Sequence, residues 1–181
     1  MPGKKGEVIK VKVERRKELL NFLRGREEPV TGSGLAEKFG VSRQVIVQDI
    51  ALLRAEGYEI LATARGYLIP EAGSSKTVAA TIACCHGQEK VKEELMTIVS
   101  FGGRILDVIV EHPIYGEMRG MLMIQSPEDV EQFMDNIRQN EANLLCTVTD
   151  GVHLHTVEAM NEEVIKRIKE ELAAKRLLLE R

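Results

Sequence analysis

The stretch Gly40-Val41-Ser42-Arg43-Gln44-Val45-Ile46-Val47-Gln48-Asp49-Ile50 decides how the first part of the chain is organised. Ile46, Ile50 and Leu53 recur at i, i+4 and i+7, which is one apolar stripe of a helix. Arg43, Gln44, Val47, Gln48 and Arg54 fall on the other side. Ser42 stands at the N-cap, where its hydroxyl can accept from an unpaired N–H of the first turn. Residues 34–39 read as a short helix before it, with Leu35, Ala36 and Phe39 apolar, and Gly40 turns the chain between the two. Helix, Gly-containing turn, helix is a helix-turn-helix pattern, although an ordinary helical hairpin shares it.

The flanking residues favour the first reading. Glu56-Gly57 stops the helix, 58–63 reads as a strand, Ala64-Arg65-Gly66 as a turn and 67–69 as a second strand. Upstream, 14–24 reads as a first helix, and 1–13 as a polar, basic arm. Arg15, Arg16 and Lys17 would then lie in a first turn, against the helix dipole, where a phosphate would relieve them, although a solvated charged face is the commoner case. Three helices and a hairpin make a winged helix-turn-helix, whose second motif helix enters the major groove. Ser42, Arg43, Gln44, Val47 and Gln48 are the DNA-facing candidates, with Arg suited to guanine and Gln to adenine. Arg65 is either a wing-tip cation for phosphate or minor groove, or a solvated turn residue.

Charge divides the chain in the same place. Residues 1–70 carry 13 Lys and Arg against 9 Asp and Glu, net +4. Residues 71–181 carry 12 against 19, net −7. A basic module joined to an acidic one fits DNA binding by the first alone. The whole chain, 181 residues and 44% hydrophobic, is long and apolar enough for real cores. It has no apolar run of membrane-spanning length, no signal-like core in residues 1–12, and three Cys that make no disulfide framework. A cytoplasmic protein without membrane attachment is the expectation. The domains are read as 1–70, a small polar linker 71–76, and 77–181.

The second part reads strand 77–85, helix 89–101, strand 104–111, strand 118–124, helix 127–140, strands 144–149 and 152–159 joined at Asp150-Gly151, and a final helix capped by Asn161. That order gives an α+β fold with helices on a largely antiparallel sheet. All four His lie in this part. His153 and His155 are two apart on a strand, so they share a face with Leu154 opposite. His86 ends the first strand, and Glu94 lies about two turns into the following helix. Three imidazoles and a carboxylate suit one divalent transition metal, zinc or nickel. Solvated or structural His remain the alternative. Cys84 and Cys85 are possible ligands too, with small apolar filling preferred. No nucleophile–base pair, phosphate loop or paired catalytic carboxylates stand out, so no catalytic residue is assigned.

Gly40 to Gly57, Ala64-Arg65-Gly66-Tyr67-Leu68-Ile69, His86, Glu111-His112-Pro113-Ile114-Tyr115-Gly116 and His153-Leu154-His155 together resemble the nicotinate-responsive repressors of NAD biosynthesis and niacin uptake, the NiaR type. The resemblance covers nearly the whole chain from about Arg15. Its winged-helix part is shared with many regulators, whereas its combination with a three-histidine domain is far more specific. It implies a second domain folded as an open-faced α/β sandwich similar to the HPr phosphocarrier. It also implies metal ligands at His86, Glu94, His153 and His155, with His112 near the effector. Arg104 is a further candidate for holding a pyridine carboxylate. A homodimer on a palindromic double-stranded operator, with nicotinic acid as effector, is the function it implies. A metal-dependent enzyme acting on a pyridine substrate, and a repressor that senses the metal itself, are the alternatives.

Overall fold

The computed structural model describes residues 3–26, 28–70, 77–140 and 143–179. The chain forms two compact units, Met1–Gly73 and Ser74–Arg181. The expected linker, 71–76, lies outside the described residues.

In the first unit, α1 (Gly3–Leu23), α2 (Gly32–Lys38) and α3 (Arg43–Ala55) precede a hairpin of β1 (Leu61–Thr63) and β2 (Gly66–Leu68). Ile46, Ile50 and Leu53 of α3 are buried against Leu19, Leu20 and Leu23 of α1 and Leu35 of α2, so the apolar stripe is the core face. Thr31 caps α2 by accepting from Gly34 N–H at 3.0 Å, and Ser42 caps α3 by accepting from Val45 N–H at 3.3 Å. Gly40 takes φ +62°, the left-handed conformation that the turn between α2 and α3 requires. Gly66 takes φ +135°, and a Cβ there would lie 2.3 Å from the Val30 carbonyl oxygen. The backbone of the hairpin therefore packs directly on the loop before α2.

Two expectations are corrected here. The first helix begins at Gly3 rather than at residue 14, so most of the expected arm is helical. No Pro interrupts this stretch, and a helix already nucleated extends at little cost per residue. Arg15, Arg16 and Lys17 consequently sit well inside α1, away from its positive end.

The second unit is a four-stranded antiparallel sheet in the order β5-β4-β6-β3. Its strands are β3 (Val78–Cys85), β4 (Arg104–His112), β5 (Gly116–Ile124) and β6 (Val152–Ala159). Three helices accompany it: α4 (Val91–Ser100), α5 (Pro127–Asn140) and α6 (Glu162–Ala174). Burial alternates along β6, with His153, His155, Val157 and Ala159 inward, so one face is covered and the other stays open. Residues 177–179 return along the edge of β3, where Cys85 N–H donates to Leu177 O and Leu179 N–H to Ala83 O.

The segment expected as a strand at 144–149 is instead a 3₁₀ turn, Leu145–Thr149. Its β-branched residues suggest extension, but local bonds win. Thr147 Oγ1 donates to Leu144 O at 2.7 Å, and Gly151 N–H closes onto Cys146 O at 2.9 Å. Asp150 (φ 50°) and Gly151 (φ 91°) then turn the chain directly into β6.

Candidate metal centre and nucleic-acid interface

The buried face of β3 and β6 builds the centre. Cys84 lies opposite His153 and Ile82 opposite His155 in the strand register. His86 follows one residue after β3 on the same face. Above them α4 turns inward a stripe of Val91, Glu94, Leu95 and Ile98. Glu94, 1% exposed, is the one charged member of that stripe. The three imidazoles expected to join it converge on its carboxylate. His86 Nε2 is 2.9 Å from Oε2, His153 Nε2 is 3.3 Å from both oxygens, and His155 Nε2 is 3.4 Å from Oε1.

The opposite nitrogen of each ring is tied to backbone. His86 Nδ1 is 3.0 Å from Gly87 O, His153 Nδ1 is 2.8 Å from Gly151 O, and His155 Nδ1 is 2.6 Å from Asp107 O. A carbonyl can only accept, so each Nδ1 carries the hydrogen and donates. In the neutral rings the three Nε2 lone pairs then face one buried carboxylate. Lone pairs against a carboxylate repel, so the cluster requires positive charge at its centre, either as protons or as a cation.

The electrostatics follow the same logic. Burial alone would raise the Glu94 pKa, but the charge of His155 and the close approach of the three imidazoles hold it well below the ordinary range. Burial works against charged His86 and His155, and Glu94 outweighs it, raising both above 6.5. Cys84 joins the cluster, its thiol pushed up first by burial and then by the neighbouring Glu94 carboxylate. Ligand-type atoms of Cys84, Glu94 and His153 all lie within 4.8 Å of one another. Cys84 thus fills the core, the preferred reading, and also stands beside the centre, where the sequence makes it a possible ligand. A buried set of imidazoles and a carboxylate, with backbone holding each ring's second nitrogen, is the arrangement that divalent transition metals accept.

Two further residues support the rings and were not anticipated. Gly151 offers its carbonyl to His153 and accepts from His86 N–H at 3.2 Å. A Cβ on it would lie 2.6 Å from the His86 carbonyl oxygen. The Asp150-Gly151 pair in the sequence was the available signal, but it announces only a turn. Asp107, 2% exposed, lies where the register of β4 against β5 shifts. Its carboxylate accepts from Arg119 at 2.7 Å and from Thr156 N–H at 3.0 Å, which steadies the carbonyl under His155.

The two effector candidates are not brought to the cluster together. They are the end residues of β4, eight residues and roughly 26 Å apart by extended rise. Arg104 lies 3.7 Å from Glu158, whose even position on β6 faces away from His153 and His155. His112 belongs to the β4–β5 turn, where its Nδ1 accepts from Ile114 and Tyr115 N–H at 3.1 and 3.2 Å. A cavity that touches the cluster is lined by Glu94, His153, His155 and Cys146, with Val91, Leu95, Phe133, Leu144 and Leu145 among its apolar walls.

In the first unit Ser42, Arg43, Gln44 and Gln48 are exposed along the start of α3, and Val47 is half-buried beside them. Arg65 stands at the β1–β2 turn and is half-buried. Arg15 is absorbed by the fold: its Nε and Nη2 donate to Asp49 at 2.6 and 3.2 Å, a bidentate pair joining α1 to α3. No helix among the described residues is long and apolar enough to cross a membrane.

The comparisons agree with this division. An HTH domain model matches residues 15–68, and a 3H domain model matches 79–181. The chain is 49% identical over 170 residues to the "Probable transcription repressor NiaR" of Thermotoga maritima, covering 94% of this chain and 96% of that protein. It is 43% identical over 153 residues to the "Transcription repressor NadR" of Bacillus subtilis, covering 83% and 85%. Both relatives are named as repressors, which sets aside the enzyme alternative in favour of a regulator. The chain belongs to the family of transcription repressors that join a helix-turn-helix domain to a 3H domain.

Proposed function

We propose that the chain represses transcription in the cytoplasm as a homodimer on a palindromic operator of NAD-biosynthesis or niacin-uptake genes, with 1–70 on DNA and 77–181 sensing nicotinic acid through one bound nickel or zinc ion. The observation that carries the metal reading is the set of three Nε2 atoms aimed at buried Glu94 while each Nδ1 is held by backbone. His86, Glu94, His153 and His155 would hold the ion. When bound, it supplies a Lewis-acidic position for the ring nitrogen or carboxylate of a pyridine acid.

The apolar cavity beside the cluster suits the ring. Its volume of ≈ 30 Å³ holds little more than water, so its walls must give way to admit a ligand. A roomier cavity of ≈ 490 Å³ shares His153 but is lined by Glu111 and Glu117, whose charge disfavours a carboxylate. His112 then serves the effector indirectly by shaping its hairpin, and Arg104 by holding β4 to β6. On the DNA side, Arg43, Gln44, Val47 and Gln48 read base edges, Ser42 positions the helix, and Arg65 reaches phosphate. Two copies place their recognition helices about 34 Å apart or a multiple of it.

Metal stoichiometry and nicotinate calorimetry on the full chain test this reading. It requires one ion per chain, lost in His153→Ala, and nicotinate binding that vanishes on chelation. Nicotinate binding unchanged by chelation would sink the metal-centred sensor.

A further inference from the structure

The Cys84 side chain is unexplained by the four-residue centre. It is fully buried, and the strand register sets it directly beside His153 on the face that carries the imidazoles. Ala would fill the same space without placing a thiol against a carboxylate. The backbone around Cys84 is fixed on its outer edge by the returning chain, through a bridge to Leu178 and the bonds of Leu177 and Leu179 to its neighbours. A second observation points to a ligand at the same place. His86, 8% exposed, directs its Nε2 into the cluster, where among the described residues it has no aligned hydrogen-bond partner despite its 2.9 Å approach to Glu94.

Building on the metal reading above, we infer that Cys84 is a further donor to the cation held by His86, Glu94, His153 and His155, and that it biases the centre toward zinc, nickel and cobalt(II) over hard, oxygen-seeking cations. Donor atoms around a five-coordinate ion stand roughly 3–4 Å apart, given bonds of about 2.0–2.3 Å. The Cys84, Glu94 and His153 atoms, within 4.8 Å, reach that spacing by small side-chain rotations. Forming the sulfur–metal bond breaks the S–H bond. The sulfur keeps the electron pair and the proton passes to solvent, with no change of oxidation state. Softness follows from the thiolate, since imidazole and carboxylate alone serve harder ions as well. Cys85 points to the other face of β3. Cys146 lines the neighbouring cavity, and it is the competitor that the test must separate.

The test uses the full chain, stripped of metal and titrated with cobalt(II). Visible ligand-field bands report ion binding, and a near-ultraviolet sulfur-to-cobalt charge-transfer band reports thiolate ligation. Both are expected in the wild type. Cys84→Ser and Cys84→Ala should keep the visible bands and lose the charge-transfer band, while Cys85→Ala and Cys146→Ala keep both. Visible bands without charge transfer in the wild type overturn the Cys84 assignment and leave the four-residue centre standing. A charge-transfer band lost in Cys146→Ala but kept in Cys84→Ala overturns it by reassignment. No visible bands at all overturn the metal centre itself and this inference with it. If neither Cys84 variant folds, the wild-type spectrum with the Cys85 and Cys146 variants still decides.

Discussion

His86 Nε2 stands 2.9 Å from Oε2 of Glu94, and each side chain is at least 98% buried. Seven residues separate the two in sequence, and the turn from β3 into α4 folds one back over the other. An ionisable pair so enclosed makes the unit sensitive to pH, and the sign depends on what occupies the centre. Without metal, the raised pKa values of His86 and His155 contribute stability that is fully present below 6.5 and lost as pH rises through their folded values. Glu94, held low, contributes stability above 4.5 that is lost as pH falls through its folded value. Chelated protein should therefore melt at a lower temperature at about pH 8 than at about pH 6. Metal-loaded protein should show the opposite trend, because protons compete for the Nε2 atoms. Thermal unfolding at both pH values, with and without chelator, checks the pair of signs.

Gly151→Ala is expected to damage the centre without touching any ligand. Its φ of 91° and the 2.6 Å approach to the His86 carbonyl oxygen leave a Cβ no unstrained place. The cost should be about 1–3 kcal/mol of stability, with weaker metal binding as His153 loses its fixed carbonyl. Denaturant unfolding and a metal-binding isotherm read the two effects; wild-type values in both would contradict the role given to Gly151.

Arg15→Ala should impair DNA binding through folding rather than through a lost phosphate contact. It strands Asp49, only 3% exposed, without its partner. Breaking one side of a buried pair costs about 3 kcal/mol or more, whereas replacing both members by apolar residues is far milder. Urea unfolding of Arg15→Ala beside Arg15→Met/Asp49→Leu separates these cases.

At the DNA surface, Gln48→Ala should relax preference at one operator position by about 1–3 kcal/mol. Arg65→Ala should weaken binding to all sequences and reduce the salt slope by about one. Binding measured across single-base operator variants and salt concentrations tells base reading from phosphate contact.

Much of this was legible from local pattern. The stripe of Ile46, Ile50 and Leu53 needs only a period of 3.6, and the shared face of His153 and His155 only a period of two. The convergence of His86 and Glu94 was readable because a short turn joins their elements. What stayed hidden depends on partners distant in sequence or on backbone. Asp49 is a polar residue in the recognition helix until Arg15, 34 residues earlier, is known to pair with it. Asp107 is a buried carboxylate whose partners, Arg119 and Thr156, lie far along the chain. The carbonyl of Gly151 has no residue-specific signature. Thr147, Val148 and Thr149 look like a strand, and side-chain bonds to nearby carbonyls make them a 3₁₀ turn.

Binding to the operator-bearing DNA upstream of the chain's own gene, titrated with nicotinate in metal-loaded and metal-stripped protein, tests the central claim most directly. An effector acts only through its different affinity for the competent and incompetent states. The account predicts that nicotinate tightens operator binding when metal is present and does nothing once it is removed. Operator binding that follows metal and ignores nicotinate would contradict it and leave a metal-sensing repressor instead.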